Sequence, residues 1–193
     1  IYETTKNLDK GRCNIGILLE TWTSDFKTKI GESVAYTKEL TITDSPTLDS
    51  IVVSDEGVAK AYIPNVYECM SLLSKKRVKV SASAKKHATI KSIAVSIGIF
   101  NKAVNTATAD VLFDGLTNAS GEITYTITAT DSRNNVITWT QKAKYHQYVR
   151  PSIINLNVAR NGAESSNGAI SADGEYWQGK VGNTTNAINI TIT

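Results

Sequence analysis

One stretch constrains the fold more than any other: EITYTITATD, residues 122–131. Apolar Ile123, Tyr125, Ile127 and Ala129 alternate with Thr124, Thr126, Thr128 and Thr130. Period two is the repeat of a β-strand, whose side chains point to opposite faces in turn. Threonine is branched at Cβ and suits the face that meets water. DSRNN at 131–135 then supplies turn chemistry, because Asp and Asn bond their own backbone and tolerate left-handed angles. A return strand begins at Val136 and runs through Ile137 and Trp139, which makes the segment a hairpin.

The same alternation predicts strands at 15–22, 32–42, 48–54, 77–84, 89–98 and 108–116. In 77–84 it points Val78, Val80, Ala82 and Ala84 inward. SDEG, KKHA and NASG are the turn signals between strands. Only 66–74, VYECMSLLS, reads as a short helix or as a loop crossing between sheets. Strands of this length joined by short polar turns predict an all-β protein of antiparallel, immunoglobulin-like sandwiches.

A length of 193 residues holds one large domain or about two small ones. The chain opens at Ile1 rather than Met, as a processed chain or a piece of a longer one would. The longest apolar run, SIAVSIGIF at 92–100, is strand length and well short of the ~20 residues of a membrane helix, so no membrane role is expected. Cys13 and Cys69 have the spacing of neither a zinc site nor a redox motif. They read as two buried free thiols, with a disulfide as the alternative.

An internal repeat divides the chain. Pro46 and Pro151 lie 105 residues apart. Five residues after each stands Ile51 or Leu156, and seven after stands Val53 or Val158. Upstream of each lies a strand, a polar loop and a strand. The period is that of one immunoglobulin-like sandwich. Proline lacks an N–H and fixes φ, so each one ends a ladder and stiffens the joint between beads. The expected division is 1–45, the closing half of one module; 46–150, a complete sandwich; and 151–193, the start of a further, incomplete module. The last piece is too short to bury a core alone. One way to complete the two end pieces is between copies, head to tail.

The chain carries no nucleophile elbow, no zinc-protease pair and no phosphate loop, and its two histidines, His87 and His146, lie far apart in sequence. No catalytic residue, metal or other cofactor is expected. Asp131 in TDSRNN offers one carboxylate to calcium, and an Asx-type turn is the favoured reading. The net charge of +3 permits contact with polyanions without demanding it. Lys75, Arg77 and Lys79 share one face of a strand, with Lys85, Lys86 and Lys91 nearby. They are candidate ligands for teichoic acid or another anionic wall polymer. The alternative is protection of an exposed edge strand. No aromatics interleave with these charges, so nucleic acid is not expected. Of the aromatics, Trp139 reads as core or half-buried, and Tyr145 and Tyr148 as padding at the joint before Pro151. Tyr176 and Trp177, in ADGEYWQGKV, are the candidate sugar-stacking pair. Asn118, Asn183 and Asn189 open sequons that matter only in a eukaryotic secretory setting.

Several short motifs together resemble the repeated module of tail and minor structural proteins of long-tailed phages of Gram-positive bacteria. They are KVSASA at 79–84, ATIKS at 88–92, TATDSRN at 128–134, YVRP at 148–151 and Arg160, with ILLETW at 17–22 similar to the hairpin of the preceding domain. The pattern departs at YIPNVYECMSLL, 62–73, where a more regular polar segment is expected. The resemblance implies a non-enzymatic protein of the virion, located extracellularly in the phage tail. Its modules would act as spacers in host attachment. Its partners would be other tail proteins, host cell-wall polysaccharide or teichoic acid, and further copies in a homo-oligomer. A carbohydrate-binding module array of a bacterial surface protein or cell-wall hydrolase is the alternative.

Overall fold

The structure, a computed structural model, describes residues 1–117, 121–160, 162, 168–181 and 184–190. The protein is all-β, with antiparallel pairing in every sheet and one short parallel contact. Most of the NASG signal and the sequons at Asn118 and Asn183 lie outside the described residues.

Two sheets in the middle of the chain form a sandwich. The first orders β3 (Thr47–Asp55), β5 (Lys76–Ser83) and β8 (Thr108–Phe113). The second orders β4 (Cys69–Met70), β10 (Val136–His146), β9 (Glu122–Asp131), β6 (Ile90–Ile97) and β7 (Phe100–Val104). The alternation in β9 does what it predicts: Ile123, Tyr125, Ile127 and Ala129 are buried. Across from them lie Val53, Val78, Val80 and Val111, in the same core cluster. Each fully buried aliphatic side chain contributes about 1.5–3 kcal/mol. The core runs from Leu48 to Tyr145. Val78, Val80 and Ala82 point inward, whereas Ala84 falls beyond the strand end and is half-buried.

One added strand, one open alternative and one correction follow from the topology. The strand expected at 89–98 is β6, which ends before Gly98, whose φ of +57° opens a turn; what the sequence reading missed is β7, which Phe100 starts back along β6. Of the two readings of 66–74, short helix or crossing loop, the structure takes the second. The segment crosses between the sheets, and Cys69 and Met70 pair in parallel with Tyr145 and His146. The strand that carries Arg77 and Lys79 is no edge, because β5 has β3 on one side and β8 on the other.

Outside the sandwich stand two hairpins. β1 (Cys13–Trp22) pairs with β2 (Lys29–Leu40), and β11 (Ser152–Arg160) pairs with β12 (Gly168–Glu175). Two-residue strands β13 (Lys180–Val181) and β14 (Thr184–Thr185) follow. A register shift in β3 falls between Leu48 and Ser50, and one in β11 between Ile153 and Asn155. Both bulges therefore sit three residues after a proline, at Asp49 and Ile154.

Candidate functional site

The hairpin turn that closes β9 onto β10 does more than reverse the chain. Asp131 Oδ1 accepts the amides of Arg133 (2.9 Å) and Asn135 (2.8 Å), the Asx-type turn, and Asn134 takes a left-handed φ of 59°. This geometry points the Arg133 side chain inward, where it is fully buried. A buried guanidinium needs partners for its fork of donors. It finds backbone carbonyls on two separate segments. Nη2 donates to Tyr2 O at 2.8 Å and Nε to Thr5 O at 3.2 Å; Nη1 donates to Lys85 O at 3.1 Å and Nη2 also to Lys86 O at 2.6 Å. Asp131 is buried in the same turn.

The neighbouring turn residues grip the same N-terminal segment. Lys10 N donates to Arg133 O at 2.7 Å, and Lys10 Nζ to Asn134 O at 2.9 Å. Asn134 Nδ2 donates to Asp9 Oδ1 at 3.0 Å, the Ser132 hydroxyl to Lys6 O, and Asn135 Nδ2 to Ile42 O at 3.3 Å. Gly11 lies against this contact. Its φ is +56°, and a Cβ there would stand 2.9 Å from Ile42 Cβ and 3.0 Å from Arg133 Cδ. The turn is thus a socket that locks residues 1–11 and Ile42 onto one end of the sandwich. Sequence reasoning read DSRNN as a turn and missed the socket. The available signal was an arginine flanked by Asp and Asn in a tight hairpin turn.

The opposite end of the sandwich carries Tyr176 and Trp177. Trp177 stands 6.1 Å from the Tyr148 ring and 6.4 Å, edge on, from His146. His146 Nε2 lies 2.8 Å from Glu68 Oε2. Tyr148, Tyr176 and Trp177, with Tyr62, Met70 and Leu73, line a cleft of about 430 Å³. Tyr145 belongs to the core and donates its hydroxyl to Leu116 O at 3.1 Å, while Tyr148 sits at the joint, its amide donating to Ser71 Oγ at 2.7 Å.

The basic residues are brought together, and so are their counter-charges. Arg77 Nη1 meets Asp110 Oδ1 at 2.8 Å, and its Nε pairs with Glu56 at 2.5 Å. Lys79 reaches Asp110 at 3.6 Å and Lys75 reaches Asp114 at 3.0 Å. The Arg77 hydrogen bond and charge, with help from Lys79, hold Asp110 below the usual carboxylate range. The stripe is therefore largely neutralised on its own surface.

Sequence reasoning also missed Lys76. It is 1% exposed, and its Nζ lies 2.9 Å from Asp55 Oδ2 and 2.8 Å from Val66 O. Asp55 Oδ1 accepts the amides of Gly57 (2.8 Å) and Lys75 (2.9 Å). Burial pushes the Asp55 carboxyl up, but these amides and the Lys76 ammonium outweigh it and hold the group low. Both cysteines are free; Cys69 is buried, with Sγ 3.2 Å from Tyr125 Oη, and Cys13 is half-buried.

Among the described residues no cluster of His, Cys, Asp and Glu is arranged to hold a metal ion. No helix of the described residues is long and apolar enough to cross a membrane. No protein-family model matches the chain, and no curated protein matches it.

Proposed function

We propose that this chain is a spacer of a phage tail tip or fibre, built from tandem immunoglobulin-like modules and acting in host attachment. In this reading its role is mechanical and it performs no reaction. The observation that carries the reading is the Arg133 socket. A fully buried guanidinium, shared between carbonyls of the preceding segment (Tyr2, Thr5) and of the sandwich itself (Lys85, Lys86), ties that segment to the next sandwich. Proline followed by a bulge three residues on, at Asp49 and again at Ile154, supports repetition of the unit. The divisions at 45/46 and 150/151 follow from that repetition.

Antibody raised against residues 46–150 and applied to whole virions tests the reading. Label at the distal tail supports it. Label confined to bacterial cell envelopes, with none on virions, overturns it.

The aromatic cleft favours a second reading, a carbohydrate-binding module of a surface protein or wall hydrolase. Tyr148 and Trp177 offer ring faces of the kind that stack on sugars. Saturable binding on a glycan array, lost on Tyr176→Ala and Trp177→Ala, would favour it over the spacer. The neutralised stripe of Lys75, Arg77 and Lys79 gives less support to capture of teichoic acid.

A further inference from the structure

Each of the two outer hairpins carries an exposed apolar face. In an antiparallel pair, directly opposed residues share a face. In β1–β2 the pairs Ile17↔Tyr36 and Leu19↔Val34 place four apolar side chains together, 53% to 64% exposed. In β11–β12 the pairs Leu156↔Ala172 and Val158↔Ile170 do the same, with Leu156, Val158 and Ile170 49% to 67% exposed. The opposite face of β11–β12 is polar, built on Asn155↔Asp173 and Asn157↔Ser171. An isolated two-stranded hairpin is marginal in water, so each apolar face calls for a cover.

The central sandwich shows what kind of cover fits. Counted from the prolines, Val34 and Tyr36 of β2 fall where Trp139 and Gln141 fall in β10. Their partners Leu19 and Ile17 then fall where Ile127 and Tyr125 fall in β9. The apolar face of β1–β2 is therefore the counterpart of the inward face of β9–β10. By the same count Leu156 and Val158 fall at Ile51 and Val53. Their partners Ala172 and Ile170 fall at Val80 and Val78. The apolar face of β11–β12 is the counterpart of the inward face of β3–β5. In the sandwich those two inward faces pack on each other: Val53, Val78 and Val80 share one cluster with Tyr125 and Ile127.

We infer that the β1–β2 face of one copy of this chain packs on the β11–β12 face of a second copy. The contact is heterologous: two different patches meet, head to tail, and it propagates into a filament or closes into a ring. It reproduces across two chains the facing of sheets that each sandwich makes within one. It rests on the repeat reading given above.

Sedimentation velocity of the full chain, with two blocked variants, tests it. Leu19→Glu with Val34→Glu blocks one face; Val158→Glu with Ile170→Glu blocks the other. All four positions are exposed, so the central core is untouched. The unblocked chain is expected to sediment as a concentration-dependent series or as a closed ring. Each blocked variant is expected to be a monomer alone, and the two mixed to form a one-to-one dimer with no larger species. Should a glutamate variant fail to fold, Leu19→Ser and Val158→Ser in the same mixing assay decide. A chain monomeric up to ~1 mM, blocked variants that still self-associate, or no dimer on mixing overturns the inference. So does a monomer whose two faces resist hydrogen exchange, because another segment then covers them. A monomer on virions labelled at the tail removes only the association; absence of label removes the spacer reading.

Discussion

Arg133 Nη2 donates to the carbonyl of Tyr2 at 2.8 Å, across 131 residues of sequence. One guanidinium thereby fixes the entry of the chain against the far turn of the sandwich. Carbonyls offer no charge of their own, so the contact is directional rather than purely electrostatic, and four acceptors take four of the fork's five donors.

Arg133→Ala leaves those carbonyls without their donor. A buried polar group left unpaired costs about 1–3 kcal/mol. Arg133→Lys is expected to restore little, because an ammonium lacks the planar fork. Limited proteolysis reads the effect: cleavage within residues 1–12 should accelerate in both variants, with the central sandwich still resistant. Equal cleavage rates in wild type and Arg133→Ala would count against the socket.

Gly11→Ala strikes the same joint from the other side. It puts a Cβ on a residue at φ +56° and drives it against Arg133 Cδ and Ile42 Cβ. The expected result is the proteolytic phenotype of Arg133→Ala, with no added effect when the two are combined, since neighbours that share one contact are not additive. Additive effects would separate the two residues.

Lys76→Met strands the Asp55 carboxylate in the interior. Breaking a buried pair from one side costs about 3–5 kcal/mol, whereas replacing both partners with apolar residues is often far milder. In denaturant unfolding, Lys76→Met should therefore be less stable than Lys76→Met with Asp55→Leu. The pH dependence has a definite sign. Asp55 is held below its unfolded value, so its contribution is fully present above the unfolded carboxylate pKa of about 3.9. It is lost as pH falls through the lower folded value, and Asp55→Asn should flatten the stability curve in that acid range.

Burial raises the Cys69 thiol above its ordinary value, so little thiolate forms at neutral pH. A disulfide reagent at pH 8 should label Cys13 first and leave Cys69 until denaturant opens the core. Rapid labelling of both thiols in the native protein would contradict the packing of Cys69 against Tyr125.

Much of the sandwich was legible because burial follows period two. Thr124 to Thr130 and their apolar neighbours declare their faces without tertiary information. β7 was hidden because its start depends on Gly98 taking a left-handed angle within an apolar run, and Phe100–Val104 has no alternation of burial to announce it. Lys76 was hidden in a basic run. Period two places it on the inward face beside Val78, but only the structure reveals the Asp55 that accommodates it. The socket was hidden for a similar reason. Backbone carbonyls leave no trace in a sequence, so the partners of Arg133 could not be read from residue types. Tyr176 and Trp177 were legible as aromatics, but the cleft they line is completed by Met70 and Tyr148 from distant segments.

The most direct test of the spacer account is the distance distribution between two spin labels. One is placed at Lys27 in the exposed β1–β2 turn and one at Ile99 in the exposed β6–β7 turn, with Cys13 and Cys69 replaced by serine. The account predicts one narrow distribution in the parent protein and a broad one after Arg133→Ala. A distribution already broad with Arg133 in place would contradict it.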